Sequence, residues 1–196
     1  MEFRVTEVNQ NGKRFFIGKI PAKILIDAAR SKVDLWTEAN LSGYQRKNVP
    51  AREASFANYV MKTKRVFPVP VILSIRHNIK FESEGHSAGT LSYPDDEIMW
   101  QVDGQHRIGG LKRLISIDDK FSEIEVPVVI LAPEEWTNNQ EKILFEEAFQ
   151  FYTINKTHKG VRADLAARFL SRLKEEGLIG DDLPKEITRS IEWLPK

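Results

Sequence analysis

Two runs constrain the fold of this chain more than any other feature. VPVILSI at 69–75 and VPVVILA at 126–132 are short, apolar and rich in β-branched residues, the pattern of strands covered on both faces. A third run, EIMWQV at 97–102, is followed across Asp103-Gly104 by QHRIGGLKRLISI, where Ile108, Leu111 and Ile115 recur at helical spacing. With VPVVILA after that helix, the four segments read as a strand, strand, helix, strand unit. At 196 residues the chain can bury one sizeable core around it without staples.

The flanking segments follow by the same reasoning. Residues 3–20 predict a β-hairpin around Asn11-Gly12, the dipeptide best suited to a type I′ turn. Pro21 opens a predicted helix, PAKILIDAARSKV, residues 34–50 read as irregular, and a helix over about 50–64 places Phe56, Tyr59, Val60 and Met61 on one side. ESEGHSAGT (82–90) predicts an exposed hairpin or loop. From 137 onward the pattern is helical, at about 137–152, 161–176 and 184–193, with Thr137 and Asn138 as expected caps. The order predicts a mixed α+β domain with a helical C-terminal part. Ile191, Trp193 and Leu194 at the end need cover, expected from the domain's own core, an oligomer contact or a longer parent chain.

Composition removes several classes of chemistry. There is no cysteine, so disulfides, thiolate metal sites and cysteine nucleophiles are excluded. A net charge of +1 excludes a uniformly basic nucleic-acid binder. No apolar run is long enough to span a bilayer, and MEFRVTEVNQ lacks a signal-peptide pattern, so a cytoplasmic location is expected.

The densest chemistry lies at the junction WQVDGQHRIGGLKRL, residues 100–114. A strand ending in Asp-Gly before a helix makes an anion site from the free N–H groups of the first turn and the positive end of the helix dipole. Arg107 adds a forked guanidinium suited to phosphate oxygens. Gly104 permits the tight turn, and Gly109-Gly110 is expected to let the helix pack closely on the sheet. Asp103 has four expected uses: capping the helix, holding Arg107, orienting a water or helping to bind Mg2+. His106 suits donation to a phosphate or proton transfer. The plainer reading is an N-cap, a surface ion-pair residue and a satisfied histidine.

DGQHR at 103–107 resembles the signature of the DGQHR-domain proteins, which include DndB-like and DpdB-like proteins of DNA modification and, more remotely, share the ParB/sulfiredoxin superfamily. YQR (44–46), FPVPVILSI (67–75) and FYTINKTHKGVRADLA (151–166) resemble further elements of that family, so the likeness covers about residues 15–170. It implies a ParB/sulfiredoxin-like mixed sheet with flanking helices, divided into a nucleotide-binding core at 1–135 and a helical part at 136–196. It also implies ATP or another nucleoside triphosphate, with Mg2+, held by Gln45, Arg46, Gly104, Gln105, His106, Arg107 and Asn155. Asp103 and His106 are then the expected catalytic pair, and Asp103 the candidate Mg2+ ligand. The implied role is an ATPase accessory to a bacterial system inserting phosphorothioate or 7-deazaguanine into DNA. DNA, other proteins of the system and a second copy are the expected partners. A DNA-binding regulator without hydrolysis is the alternative. Pro50 departs from the family pattern by interrupting the helix start after YQR, and the long C-terminal region of DndB-like proteins is missing. Gln105 stands where a sulfiredoxin has its thiolate, which excludes sulfinic-acid reduction.

Basic residues gather at Arg46, Lys47, Arg52, Lys62, Lys64 and Arg65, and again at Lys156, His158, Lys159, Arg162, Arg168 and Arg172. Lys156, Lys159 and Arg162 are the candidate DNA contacts. Phe145, Phe149, Phe151 and Tyr152 sit at near-helical spacing and are expected in the core, whereas Tyr44, in the irregular segment, is placed to stack on a nucleobase. The four histidines lack metal-ligand spacing.

Overall fold

The computed structural model describes residues 1–64, 67–133, 136–137 and 139–157, with backbone alone at 140, 141, 156 and 157. These residues form an eight-stranded mixed sheet with four helices, the α+β class the sequence predicts. β1 (Glu2–Gln10) and β2 (Lys13–Pro21) are the expected hairpin. Asn11 and Gly12 turn it with φ of 53° and 75°, the two positive values a type I′ turn requires.

The helix predicted from Pro21 stops after one turn, as α1 (Ala22–Leu25). Asp27 ends it: its carboxylate accepts from the Ala29 N–H at 2.9 Å, and its carbonyl takes the N–H groups of Arg30 and Ser31. Such local hydrogen bonds offer the backbone an alternative to helix. A two-residue strand, β3 (Ser31–Lys32), follows, then the irregular segment. α2 (Pro50–Thr63) starts at Pro50 instead of being broken by it, because the first helical residue has no intrahelical N–H bond to lose. Tyr59, expected on its apolar side, is exposed, and Ala57 and Val60 carry the burial.

β4 (Val71–Ile75) lies inside the sheet, antiparallel to β7 (Met99–Asp103) and parallel to β8 (Glu125–Leu131). β5 (Lys80–Gly85) and β6 (Ala88–Ser92) form the expected exposed hairpin at the far edge. The full order is β3-β7-β4-β8-β2-β1-β6-β5. α3 (Gln105–Ile117) joins β7 to a 3-10 turn at Asp119–Glu123, and α4 (Gln140–Thr157) follows β8. Asn139 caps α4, its side chain accepting from the Lys142 N–H at 3.4 Å. That is the role expected of its neighbours, and Thr137 instead accepts from the Asn139 N–H.

Val71, Leu73 and Ile75 pack into one apolar core with Ala57 and Val60 of α2 and Ile108, Leu111 and Leu114 of α3. Strand alternation turns Ile72 and Ser74 to the opposite face. The glycine pair of α3 seats it on α2, not on the sheet as expected. A Cβ at Gly109 would lie 2.4 Å from Glu53 Oε1, and one at Gly110 would lie 2.6 Å from the Phe56 ring.

The chain divides into two compact units, Met1–Tyr152 and Thr153–Lys196. The helices expected at 161–176 and 184–193 lie outside the described residues. Phe145, Phe149 and Tyr152 are more than half exposed, against expectation, because α4 turns Ile143 and the fully buried Glu147 inward. No helix among the described residues is long and apolar enough to cross a membrane.

Candidate functional site

The site begins where β7 stops. Gly104 has φ 100°, and a Cβ there would lie 3.0 Å from Val71 Cγ2, so both backbone and space call for glycine. No side chain caps α3, and its first turn holds no acid. The N–H groups of that turn are left to a ligand or water, at the positive end of the helix. Of its expected roles, Asp103 takes that of holding Arg107, with Oδ2 accepting from Nη2 at 2.9 Å. The same Nη2 donates to the Pro70 carbonyl, also at 2.9 Å. This fixes the guanidinium at the mouth of the turn while its Nε stays buried without a partner.

α2 and α3 run side by side in the same direction. Asn48, two residues ahead of α2, donates to the Gln105 carbonyl at 3.4 Å, and Glu53 in the first turn of α2 meets Arg113 at 3.1 Å. At the other end, Val60 and Met61 share a groove with Ile117. Two helix N-termini therefore open on one place, and neither has a side-chain cap. Arg46, Lys47 and Arg52 are exposed at this end, whereas Lys62 and Lys64 are exposed at the other, so the first basic cluster is split along α2. His106 titrates below its ordinary value, chiefly through burial and then through the charge of Arg52, with Glu53 and Asp103 working against them. The imidazole is accordingly neutral at neutral pH, with its Nδ1 buried and unpartnered.

The segment ahead of α2 is held from behind by a buried ionic cluster. Arg76 donates to Asp34 at 2.6 Å and to both carboxylate oxygens of Glu147 at 3.0 and 2.7 Å, with its guanidinium 3.9 Å from the centre of the Trp100 ring. Burial opposes the charge on Arg76, but its bonds to Glu147 and Asp34 outweigh that and hold its titration above the ordinary value. The Asp34 carbonyl takes the N–H groups of Tyr44 and Gln45 at 3.2 and 3.1 Å. Tyr44, the expected nucleobase stacker, is instead packed on Phe151 at 5.5 Å with its hydroxyl donating to Glu147. Burial, then the Glu147 charge, pushes that phenol up. Gln45 is 1% exposed and turns its amide N–H group onto the carbonyls of Gln101 and Val102 at the end of β7. Arg46 beside it points to solvent.

The orphaned polar atoms collect here. Among the described residues six buried side-chain polar atoms have no hydrogen-bond partner, and five belong to Gln45, Asn48, Gln105, His106 and Arg107. Buried polar atoms are nearly always paired in folded proteins, so this concentration marks a place completed by something else. Gln45, Gly104, Gln105, His106 and Arg107 are thus brought together. Asn48 and the buried Arg76 cluster went unnoticed in the sequence. An asparagine two residues ahead of a helix-opening proline is a faint signal, and Asp34, Arg76 and Glu147 are too far apart in the chain to suggest one another.

Asn155 is an exposed residue of α4 in the second unit, Lys156 is described by its backbone alone, and Lys159 and Arg162 lie outside the described residues. No group of three or more carboxylate and histidine side chains able to hold a metal occurs among the described residues. Asp103 pairs with Arg107 through Oδ2 alone, and a single carboxylate is enough to take part in holding Mg2+ where phosphate oxygens and water supply the other ligands.

A protein-family model, DndB, described as DNA-sulfur modification-associated, matches residues 3–163. No curated protein matches the chain.

Proposed function

Given that the chain belongs to the DndB family of DNA-sulfur modification-associated proteins, we propose that it binds a nucleoside triphosphate, ATP in the first instance, at the start of α3 and hydrolyses it as an accessory to DNA sulfur modification. The observation that carries this reading is the set of orphaned polar atoms around an uncapped helix N-terminus.

In this reading the first-turn N–H groups of α3, Arg107 and Arg46 hold the phosphates. Asp103 keeps Arg107 in place and offers its second oxygen to Mg2+, which supplies charge neutralisation when bound. The neutral His106 takes a proton from water as its oxygen attacks the γ-phosphorus. The bond to the bridging oxygen breaks, and a nucleoside diphosphate and inorganic phosphate leave. Positioning and charge stabilisation carry most of such a reaction, so no side-chain nucleophile is needed.

Phosphate release with ATP, CTP and GTP tests the chemistry. Arg107→Ala is expected to weaken nucleotide binding about 10-fold to 100-fold, the range for losing a charge-assisted hydrogen bond, and His106→Gln to lower turnover with little change in binding. Equal rates in wild type, Arg107→Ala and Asp103→Ala would sink the proposal. Salt-dependent DNA binding with no nucleotide effect on thermal stability would put a DNA-binding regulator in its place.

A further inference from the structure

Two of the orphaned atoms have an identity that the surrounding bonds fix. The Gln45 amide nitrogen donates to two backbone carbonyls, Gln101 and Val102, and the Asn48 amide nitrogen donates to Glu53 Oε1 at 2.9 Å and to the Gln105 carbonyl. Turning either amide over would set its oxygen against those acceptors. The atoms left buried and unpartnered are therefore acceptors, Gln45 Oε1 and Asn48 Oδ1. Gln45 sits against the last residues of β7 and Asn48 against the first residue of α3, so the pair brackets the Asp103-Gly104 turn.

An acceptor does nothing for a phosphate oxygen, which is an acceptor too. The donors for an anion lie elsewhere, in the α3 N–H groups and Arg107. The site thus offers two unlike edges, one donating and one accepting. Resting on the nucleotide reading above, we infer that Gln45 and Asn48 are specificity residues that accept hydrogen bonds from O–H or N–H groups of the nucleoside, so that the site selects a nucleoside triphosphate over a bare polyphosphate. The donors are the ribose hydroxyls or an exocyclic amine of the base. A site with buried acceptors discriminates against an analogue lacking the matching donor, because the acceptor is then left unpaired.

Binding of ATP, 2′-deoxy-ATP, ITP and inorganic tripolyphosphate to the full chain, each at the same Mg2+ concentration, tests this by calorimetry. ATP is expected to bind more tightly than tripolyphosphate, with a loss of about threefold to tenfold for either the deoxy-sugar or the base lacking the amine, the size of one neutral hydrogen bond. Loss on the deoxy-sugar assigns the acceptors to ribose, and loss on ITP assigns them to the base. Asn48→Ala is expected to narrow the preference for ATP over tripolyphosphate, which a general loosening of the fold would not do selectively. Equal affinities for all four probes would overturn the inference while leaving a phosphate site intact. Binding of none of them would overturn the nucleotide reading itself. The wild-type series decides the matter even where Asn48→Ala does not fold.

Discussion

The two ends of the α2–α3 pair contrast sharply. Where the helices begin, they present uncapped N-termini, exposed arginines and a concentration of buried polar atoms without partners. Where they end, a groove of about 870 Å³ is lined by Val60, Met61, Phe67, Ile117 and Phe121, and Lys64 in the left-handed conformation closes α2 through a bond to the Val60 carbonyl. The volume is at one end and the unmet chemistry at the other. A groove among apolar side chains carries no hydrogen-bonding demand of its own, whereas a buried acceptor without a donor costs about 1–3 kcal/mol. Unsatisfied valence is the better guide to function here than size.

The largest effect is expected behind the polar end. Arg76→Ala leaves Asp34 and Glu147 buried without their counter-ion and should lower stability by about 3–5 kcal/mol in urea unfolding. It should also loosen the Gln45 segment. A loss under 1 kcal/mol, on the scale of an exposed ion pair, would mean that the cluster does not hold the polar end. Next comes the spacing of the helix pair. Gly110→Ala puts a methyl into the Phe56 ring and should cost about 1–3 kcal/mol by overpacking, while shifting both ends together.

A smaller effect should appear with pH. A histidine whose folded value lies below its unfolded one binds its proton more readily when unfolded. Its contribution to stability is therefore full above the ordinary value near 6.5 and declines as pH falls below it through the folded value. Melting temperature should fall over that window in the wild type and less in His106→Gln, and a bound polyphosphate should shrink the difference by favouring the charged ring. A flat profile in both proteins would remove His106 from the electrostatics of the site. The smallest effect belongs to the apolar end, where Ile117→Ser on an exposed side chain should change stability by no more than about 0.5 kcal/mol and leave nucleotide-induced stabilisation as it was. A lost nucleotide response in this variant would break the contrast between the ends.

Much of this layout is legible in the residues. Asn11-Gly12 dictates its hairpin by local conformation, and VPVILSI and VPVVILA declare themselves through composition, so local rules suffice for them. The glycine turn and helix start at 103–107 are legible for the same reason: both are set by local conformation. What escaped was set either by competing local bonds or by tertiary contact. Asp27 diverts the chain from helix with its own carboxylate, a choice between two local bonds that sequence pattern cannot weigh. The rotation of α4, which exposes Phe145 and Phe149, follows from Glu147 meeting Arg76 across the fold. The role of Asn48 depends on α2 lying beside α3, which neither helix announces.

The parallel pairing of β4 with β8 has a consequence for how the molecule assembles. Val71 meets Val128 and Ser74 meets Leu131 only after the whole chain between them, hairpin, β7 and α3 included, has been gathered in. Closing so long a loop costs entropy before its contacts return anything, which slows folding. The β1–β2 hairpin can form early on its own neighbours, but the Asp103-Gly104 turn lies within the gathered stretch and takes its final shape only against Val71 of β4. Ligand competence should therefore emerge in refolding experiments with the slowest phase, as a late product of the sheet closing.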